Sequence, residues 1–305
     1  MDWKSALKGF RTYLVLERAL AEHSIDAYHR DVSKLIQYLD MQGVTVGPLQ
    51  ITKVELTGFL KFVHELGLGA RTQARILSGI KAFYRYLLME DLMAHDPSSM
   101  IEGPKLSRKI PEVLSIEELD LMLSKIDLSH PLGHRNRAML ETLYACGLRV
   151  SELTHLKISD FFPEEGYVKV IGKGNKERIV PMGAEAIQQN LYYMEHIRSH
   201  QKIHPDCEDF LYLNRRGKNL TRVMIFTIIK NLAEFVGIKK KVSPHTFRHS
   251  FATHLVEGGA DLRAVQDMLG HESITTTEIY THIDTQYLRK NIMQYHPRNR
   301  DPLAQ

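Results

Sequence analysis

Apolar residues recur at helical spacing through the first hundred residues of the chain. Trp3, Leu7, Phe10 and Leu14 form one series. Ile25, Tyr28, Val32, Leu35 and Leu39 form a second, and Ile76, Ile80, Phe83 and Leu87 another. Steps of three and four put each series on one helix face, and such a face is buried against other helices. A further helix opens at Thr52, where Thr52-x-x-Glu55 is a capping-box pattern, and it carries Leu56, Phe59, Leu60 and Val63. Four amphipathic helices with short Gly-containing connections predict a small bundle. Tyr28, Tyr38, Tyr84 and Tyr86 lie on or beside the stripes and read as core or rim.

A break in composition ends this region. Asp96-Pro97-Ser98-Ser99, Gly103-Pro104 and Pro111 punctuate a polar, basic stretch. Ser115-x-x-Glu118 then opens a new helix with a second capping box. The expected boundaries are a helical domain over 1–103, a linker over 104–111 and a second domain over 112–305. In the second domain, 167–171 alternates and is β-branched, 172–175 reads as a turn, and 178–180 reads as a returning strand. This predicts a β-hairpin with Lys173 at its tip, in a domain otherwise mostly helical. The fold class is mainly α with a small antiparallel β-sheet. The stretch 296–302 is a poor helix and reads as a tail.

Composition limits the function classes. Among 305 residues, 43% are hydrophobic and 25% charged, which excludes a disordered or collagen-like chain. There is no apolar run near the roughly 20 residues of a membrane helix, and the N-terminus lacks a signal-peptide stretch. Cys146 and Cys207 are too few and too far apart for a disulfide framework or a close metal site, and Cys146 reads as a packed small hydrophobe. The expectation is a reduced, cytoplasmic protein with no membrane insertion. A formal net charge of +4 points only weakly to a polyanion.

Five basic or proton-carrying side chains sit in unusual settings: Arg149, read between apolar neighbours inside a helical stretch, with Lys173, His245, Arg248 and His271. Each has a plain reading alone; Arg149 could be a surface arginine paired to Glu152. Together they are what a phosphodiester needs. Arginine forks match phosphate oxygens and stay charged, and lysine or histidine can protonate a leaving oxygen. No DxD, HExxH or acidic cluster suggests a metal site. Phosphoryl chemistry here is therefore expected to run without metal or cofactor, with a side-chain nucleophile.

Four stretches carry a resemblance: GLRVSEL at 147–153, VIGKGNKERIVP at 170–181, the block SPHTFRHSFATHLVEGGADLRAVQDMLGHESITTTEIYTH at 243–282, and HPR at 296–298. With RILSGIKAFYRYL at 75–87, they resemble the tyrosine recombinases of the phage-integrase family, Xer type, over nearly the whole chain. Phe247 stands where leucine is expected in near relatives.

The resemblance implies a core-binding helical domain and a catalytic domain that clamp DNA from two sides. Tyr280 would be the nucleophile, forming a 3′-phosphotyrosyl link. Arg149 and Arg248 would hold the non-bridging oxygens, Lys173 would be the general acid and His245 an acid/base. His271 would hydrogen-bond the scissile phosphate, and Glu152 would support the arginines. It further implies resolution of chromosome dimers at a dif-like site through a Holliday junction. The partners would be that double-stranded DNA site, a second related recombinase in a cyclic heterotetramer, and a septal DNA translocase. The segment from about 287 to 305 would dock on a neighbouring subunit.

Tyr287 is seven residues past Tyr280 and is not excluded by geometry, so Tyr280 is favoured on the resemblance alone. A mobile-element or phage-type integrase or invertase would share the chemistry. A non-catalytic DNA-binding protein is opposed by the intact residue set. Lys239, Lys240, Lys241 and Arg222, and with them Arg215 and Arg216, are candidate phosphate contacts.

Overall fold

Helices with one apolar face build the first part of the molecule. The computed structural model describes residues 1–106, 112–172, 176–270 and 282–299; in the last stretch side chains are described from residue 287. Two units divide the chain, Met1–Lys109 and Ile110–Gln305.

In the first unit α1 (Trp3–Leu16), α2 (Glu22–Met41), α3 (Lys53–Glu65) and α4 (Ala70–Met89) form the bundle. Asp2 caps α1 by accepting from the Ser5 amide. At α3 the expected box is present: the Thr52 amide donates to Glu55 at 2.8 Å, and the Val54 amide donates to the Thr52 hydroxyl at 3.2 Å. The stripes meet in one core, with Phe10, Val32, Leu35, Leu56, Ile80, Phe83 and Leu87 all buried. Each such side chain contributes roughly 1.5–3 kcal/mol by leaving water. Trp3 and Leu7 sit only part-buried at its margin. Helices α2 and α4 approach closely at Gly79, where a Cβ would lie 2.8 Å from that of Asp31. Asp31 is itself buried and paired with Arg75.

The second unit contains α5 (Ile116–Ser124), α6 (Gly133–Ala145), α7 (Val150–Thr154), β1 (Phe161–Phe162), β2 (Tyr167–Ile171), β3 (Glu177–Pro181), α8 (Ala184–His196), α9 (Arg222–Phe235), α10 (Pro244–Gly258), α11 (Leu262–Leu269) and α12 (His282–Tyr295). The three strands are antiparallel in sequence order, with Tyr167 opposite Pro181 and Ile171 opposite Glu177. The expected hairpin is therefore present; Lys173 at its tip lies outside the described residues. Ser115 caps α5 reciprocally with Glu118, as the sequence pattern predicts. Buried residues of α6, α10 and α11, among them Leu143, Phe251 and Met268, form one core with Val168 and Val180 of the sheet.

Two features differ from the sequence reading. Arg149 is not inside a helix. Gly147, at φ +55°, breaks the chain between α6 and α7, and Arg149 becomes the N-cap of α7. A side chain at Gly147 would also strike the Phe251 ring, 2.3 Å away. The second correction concerns 296–302, read as a tail. Its described part, through residue 299, is packed into the second unit. His296 is fully buried, and Arg298 reaches Asp120 at 2.6 Å and Glu141 at 3.1 Å. Pro297–Asn299 is a 3-10 turn, which helical periodicity cannot detect.

Candidate active site

The site begins with the break at Gly147. It turns the chain so that Arg149 starts α7 and Glu152 falls in its first turn, where a carboxylate is favoured. One oxygen of Glu152 accepts from the Arg149 amide at 2.7 Å, and the other from Arg149 Nη1 at 2.8 Å. The pairing of Arg149 to Glu152 expected from sequence is present, but it is part of a larger cluster.

Arg248 reaches the same place from α10. Its Nη1 donates to the Gly147 carbonyl at 2.8 Å and stands 3.9 Å from Glu152 Oε2. A third arginine, Arg178 of β3, donates to both Glu152 oxygens, at 2.8 and 2.9 Å.

All three arginines also grip the end of α11. The Met268 carbonyl accepts from Arg178 Nε at 2.7 Å, the Leu269 carbonyl from Arg248 Nη2 at 2.5 Å and the Gly270 carbonyl from Arg149 Nη2 at 3.1 Å. The final carbonyls of a helix lack intrahelical donors and carry partial negative charge, so cations are favoured there. Gly270 ends α11 in the left-handed region, φ +64°, and a Cβ there would press on Arg178 at 3.2 Å. Glycine meets both demands.

Burial tunes these groups. Burial opposes the charge of Glu152, but hydrogen bonds and charge from Arg178, then Arg149, outweigh it and hold the carboxyl below its usual range. Burial, followed by the charge of Arg149, pushes the Arg248 guanidinium down to about 10, so it stays charged at neutral pH. The Arg149 side chain is 33% exposed and Arg178 only 5%. Three guanidinium groups around one carboxylate leave a positive surplus, with Arg149 open to solvent.

His245 is exposed in the first turn of α10, three residues before Arg248, so the two share a helix side. Arg149, Glu152 and Arg248 are thus brought together, and His245 shares the helix of Arg248. Lys173, His271 and Tyr280 lie outside the described residues. In sequence Lys173 follows β2, His271 follows Gly270 and Tyr280 precedes α12.

Arg178 was missed by sequence reasoning, although a signal existed. It lies two residues before buried Val180 and opposite buried Val170, so it sits on the inward face of β3. A charge on that face needs a partner.

Other candidates resolve differently. Tyr287 bonds to Asp261, and burial plus that carboxylate raise its pKa, which disfavours a phenolate there. Lys240 is tied to its own unit through the Val113 carbonyl at 2.9 Å and Glu118 at 2.6 Å. Lys239, Lys241, Arg215, Arg216 and Arg222 are exposed. Cys146 is fully buried and its thiol pKa is pushed up by burial, and Phe247 is core. Among the described residues no group of three metal-ligating side chains occurs, and no helix is long and apolar enough to cross a membrane.

Known proteins share this organisation. Residues 112–287 match the family described as Phage integrase family, and residues 7–91 match the Phage integrase, N-terminal SAM-like domain. The chain is 41% identical over 292 residues to tyrosine recombinase XerD of Listeria monocytogenes serotype 4b (strain F2365), covering 96% of this chain and 98% of that one. It is 42% identical over 299 residues to tyrosine recombinase XerD of Chlorobaculum tepidum, covering 97% of each. Among solved structures, XerH site-specific recombinase bound to difH substrate in a post-cleavage complex is similar, with TM-score 0.69 and 28% identity, over 90% of this chain and 81% of that one.

Proposed function

The chain belongs to the phage integrase family and is a tyrosine recombinase, a site-specific enzyme acting on DNA through a covalent intermediate; from that premise we propose how its residues divide the reaction. Arg149 and Arg248 hold the non-bridging oxygens of the scissile phosphate. The Tyr280 phenolic oxygen attacks phosphorus and forms the 3′-phosphotyrosyl bond as the bond to the 5′-oxygen breaks. His245 takes the phenolic proton, Lys173 gives one to the departing 5′-oxygen, and His271 hydrogen-bonds the phosphate. Glu152 aligns the arginines. In the second half a 5′-hydroxyl from the partner strand attacks the same phosphorus and releases Tyr280, through a Holliday junction.

Physical chemistry supports this division. Only about 0.1% of a free tyrosine is phenolate at pH 7, so the nucleophile needs a base and a positive field. The observation that carries the reading is the convergence of Arg149 and Arg248 on Glu152 and the end of α11, immediately before His271 in the chain. The phosphotyrosyl bond keeps the energy of the cleaved bond, so rejoining needs no high-energy cofactor.

The near-full-length similarity to XerD proteins supports a finer proposal: action at a dif-like site, resolving chromosome dimers in the cytoplasm, with a second related recombinase in a cyclic heterotetramer and a septal translocase as regulator. Docking of 287–305 on a neighbour belongs to this proposal. It would require Leu288, Ile292 and His296 to leave their present burial or to be matched by the neighbour's.

Trapping tests both levels. Lys173→Ala should regain cleavage on DNA with a 5′-bridging sulfur, whose leaving group needs no proton; absence of rescue removes Lys173 as general acid. Covalent adducts recovered from cells should map to one dominant chromosomal locus. Adducts at the ends of a mobile element would replace the dimer-resolution reading.

A further inference from the structure

Arg178 is turned into the protein, with its side chain only 5% exposed. Its terminal nitrogens engage both oxygens of Glu152, and its Nε engages the Met268 carbonyl. Three of the five N–H donors of the guanidinium are thus used inside the protein. What Arg178 can influence is Glu152.

Glu152 poses an electrostatic problem. It aligns Arg149 by binding both its amide and its Nη1. Yet a carboxylate beside two phosphate-binding arginines is itself an anion, and it offsets the charge meant for substrate. Alone with Arg149 and Arg248, it would cancel half of their charge. A bidentate arginine on the carboxylate restores the balance. The hairpin strand β3 delivers such an arginine from a nearly inaccessible position.

We propose that Arg178 is a positioning residue that serves as the counterion of Glu152, so that Glu152 aligns Arg149 while the charges of Arg149 and Arg248 remain for the scissile phosphate. This rests on the phosphate-holding reading of those two arginines. The same fork joins the base of the Lys173 hairpin to the end of α11, so one side chain registers three segments of the site.

The test is single-turnover formation of the covalent adduct on a nicked suicide substrate, with DNA affinity and thermal unfolding measured in parallel. Arg178→Met should slow adduct formation about 100-fold while DNA affinity changes less than about threefold. Arg178→Lys, which keeps the charge but not the fork, should lose about tenfold. The decisive variant is Arg178→Met with Glu152→Gln. With the carboxylate charge gone no counterion is needed, and the double variant should recover about tenfold over Arg178→Met. A double variant as slow as Arg178→Met, or a single variant at the wild-type rate, overturns the proposal.

Should Arg178→Met not fold, Arg178→Lys carries the test on DNA with a methylphosphonate at the scissile position. That group is neutral and gathers one negative charge fewer in the transition state than a phosphodiester, so the loss should shrink to under about threefold. An equal loss on both substrates overturns the proposal. If the wild type forms no adduct, or Arg248→Ala forms it at full rate, the underlying reading fails instead.

Discussion

The second unit contains two buried glutamates ringed by arginines, and they behave in opposite ways. Glu152 accepts well-formed hydrogen bonds from Arg149 and Arg178, and its carboxyl is held low. Glu141 has Arg298 at 3.1 Å and Arg137 at 3.0 Å, yet neither of its oxygens has a hydrogen bond of good geometry, and burial pushes its pKa up. Around Glu152 the arginines also bind helix-end carbonyls, and Arg149 opens to solvent. Around Glu141 the space is closed by the C-terminal turn, with Arg298 over the Tyr144 ring at 5.9 Å. Residue type alone therefore does not mark a reaction site. A saturated carboxylate beside an accessible arginine fits a phosphate site, whereas a closed, under-bonded one fits an anchor.

Cleavage rate should separate the two clusters most widely. Arg248→Ala should lower single-turnover cleavage by about 10²–10³-fold. Arg298→Met should change it by less than about threefold when equally folded protein is compared. Equal losses would erase the distinction.

Stability should show the reverse. Arg298→Met leaves Glu141 buried with a weakened partner set, and urea unfolding should report a loss of about 3 kcal/mol. Adding Glu141→Gln should recover more than half of it; no recovery would mean that Arg298 anchors by packing alone.

Acid should strike the anchor before the reaction site. Full burial, then the charge of Arg298, pushes His296 down to about 3, so the folded state keeps it neutral while the unfolded chain takes a proton below about pH 6.5. Its stabilisation is present above that pH and falls as pH drops towards 3, by about 2 kcal/mol between pH 7.5 and 5. Glu141, with its pKa raised by burial, takes up a proton more readily in the folded than in the unfolded chain and works in the opposite sense. Glu152, held low, keeps its full contribution above the ordinary carboxylate pKa and loses it only as pH falls from there. His296→Gln should therefore flatten or reverse the decline in melting temperature from pH 7.5 to 5; an unchanged decline would exclude His296 as its source.

The smallest contrast is among surface lysines. Lys241→Met should reduce the salt dependence of DNA binding by about one unit of slope. Lys240→Met should leave that slope unchanged and lower stability by under about 1 kcal/mol, because its partner is Glu118. Interchanged results would reassign the lysine run.

Much of the fold was legible because it follows local rules. The stripes through Phe10, Val32, Leu35 and Phe83 end in one core, and the capping boxes at Thr52 and Ser115 start helices where expected. The hairpin followed from alternation. Arg149, Glu152 and Arg248 were legible as candidates, but not their common meeting point, which depends on the end of α11 supplying carbonyls 121 residues away from Arg149 and 21 from Arg248. Arg178 was hidden by its sequence setting, since a polar, basic neighbourhood reads as solvated. The seating of His296 and Arg298 depends on Tyr144 and Glu141 of a distant helix, which no local pattern reveals.

A metal-free attack by one tyrosine, served by the arginine cluster as proposed, leaves a covalent product that can be trapped. The most direct measurement is to incubate the protein with a nicked suicide DNA in EDTA, digest the adduct and locate the modified residue by mass spectrometry. The expected product is a 3′-phosphotyrosyl adduct on Tyr280, absent from Tyr280→Phe. No adduct in EDTA, or an adduct on Tyr287, would contradict it.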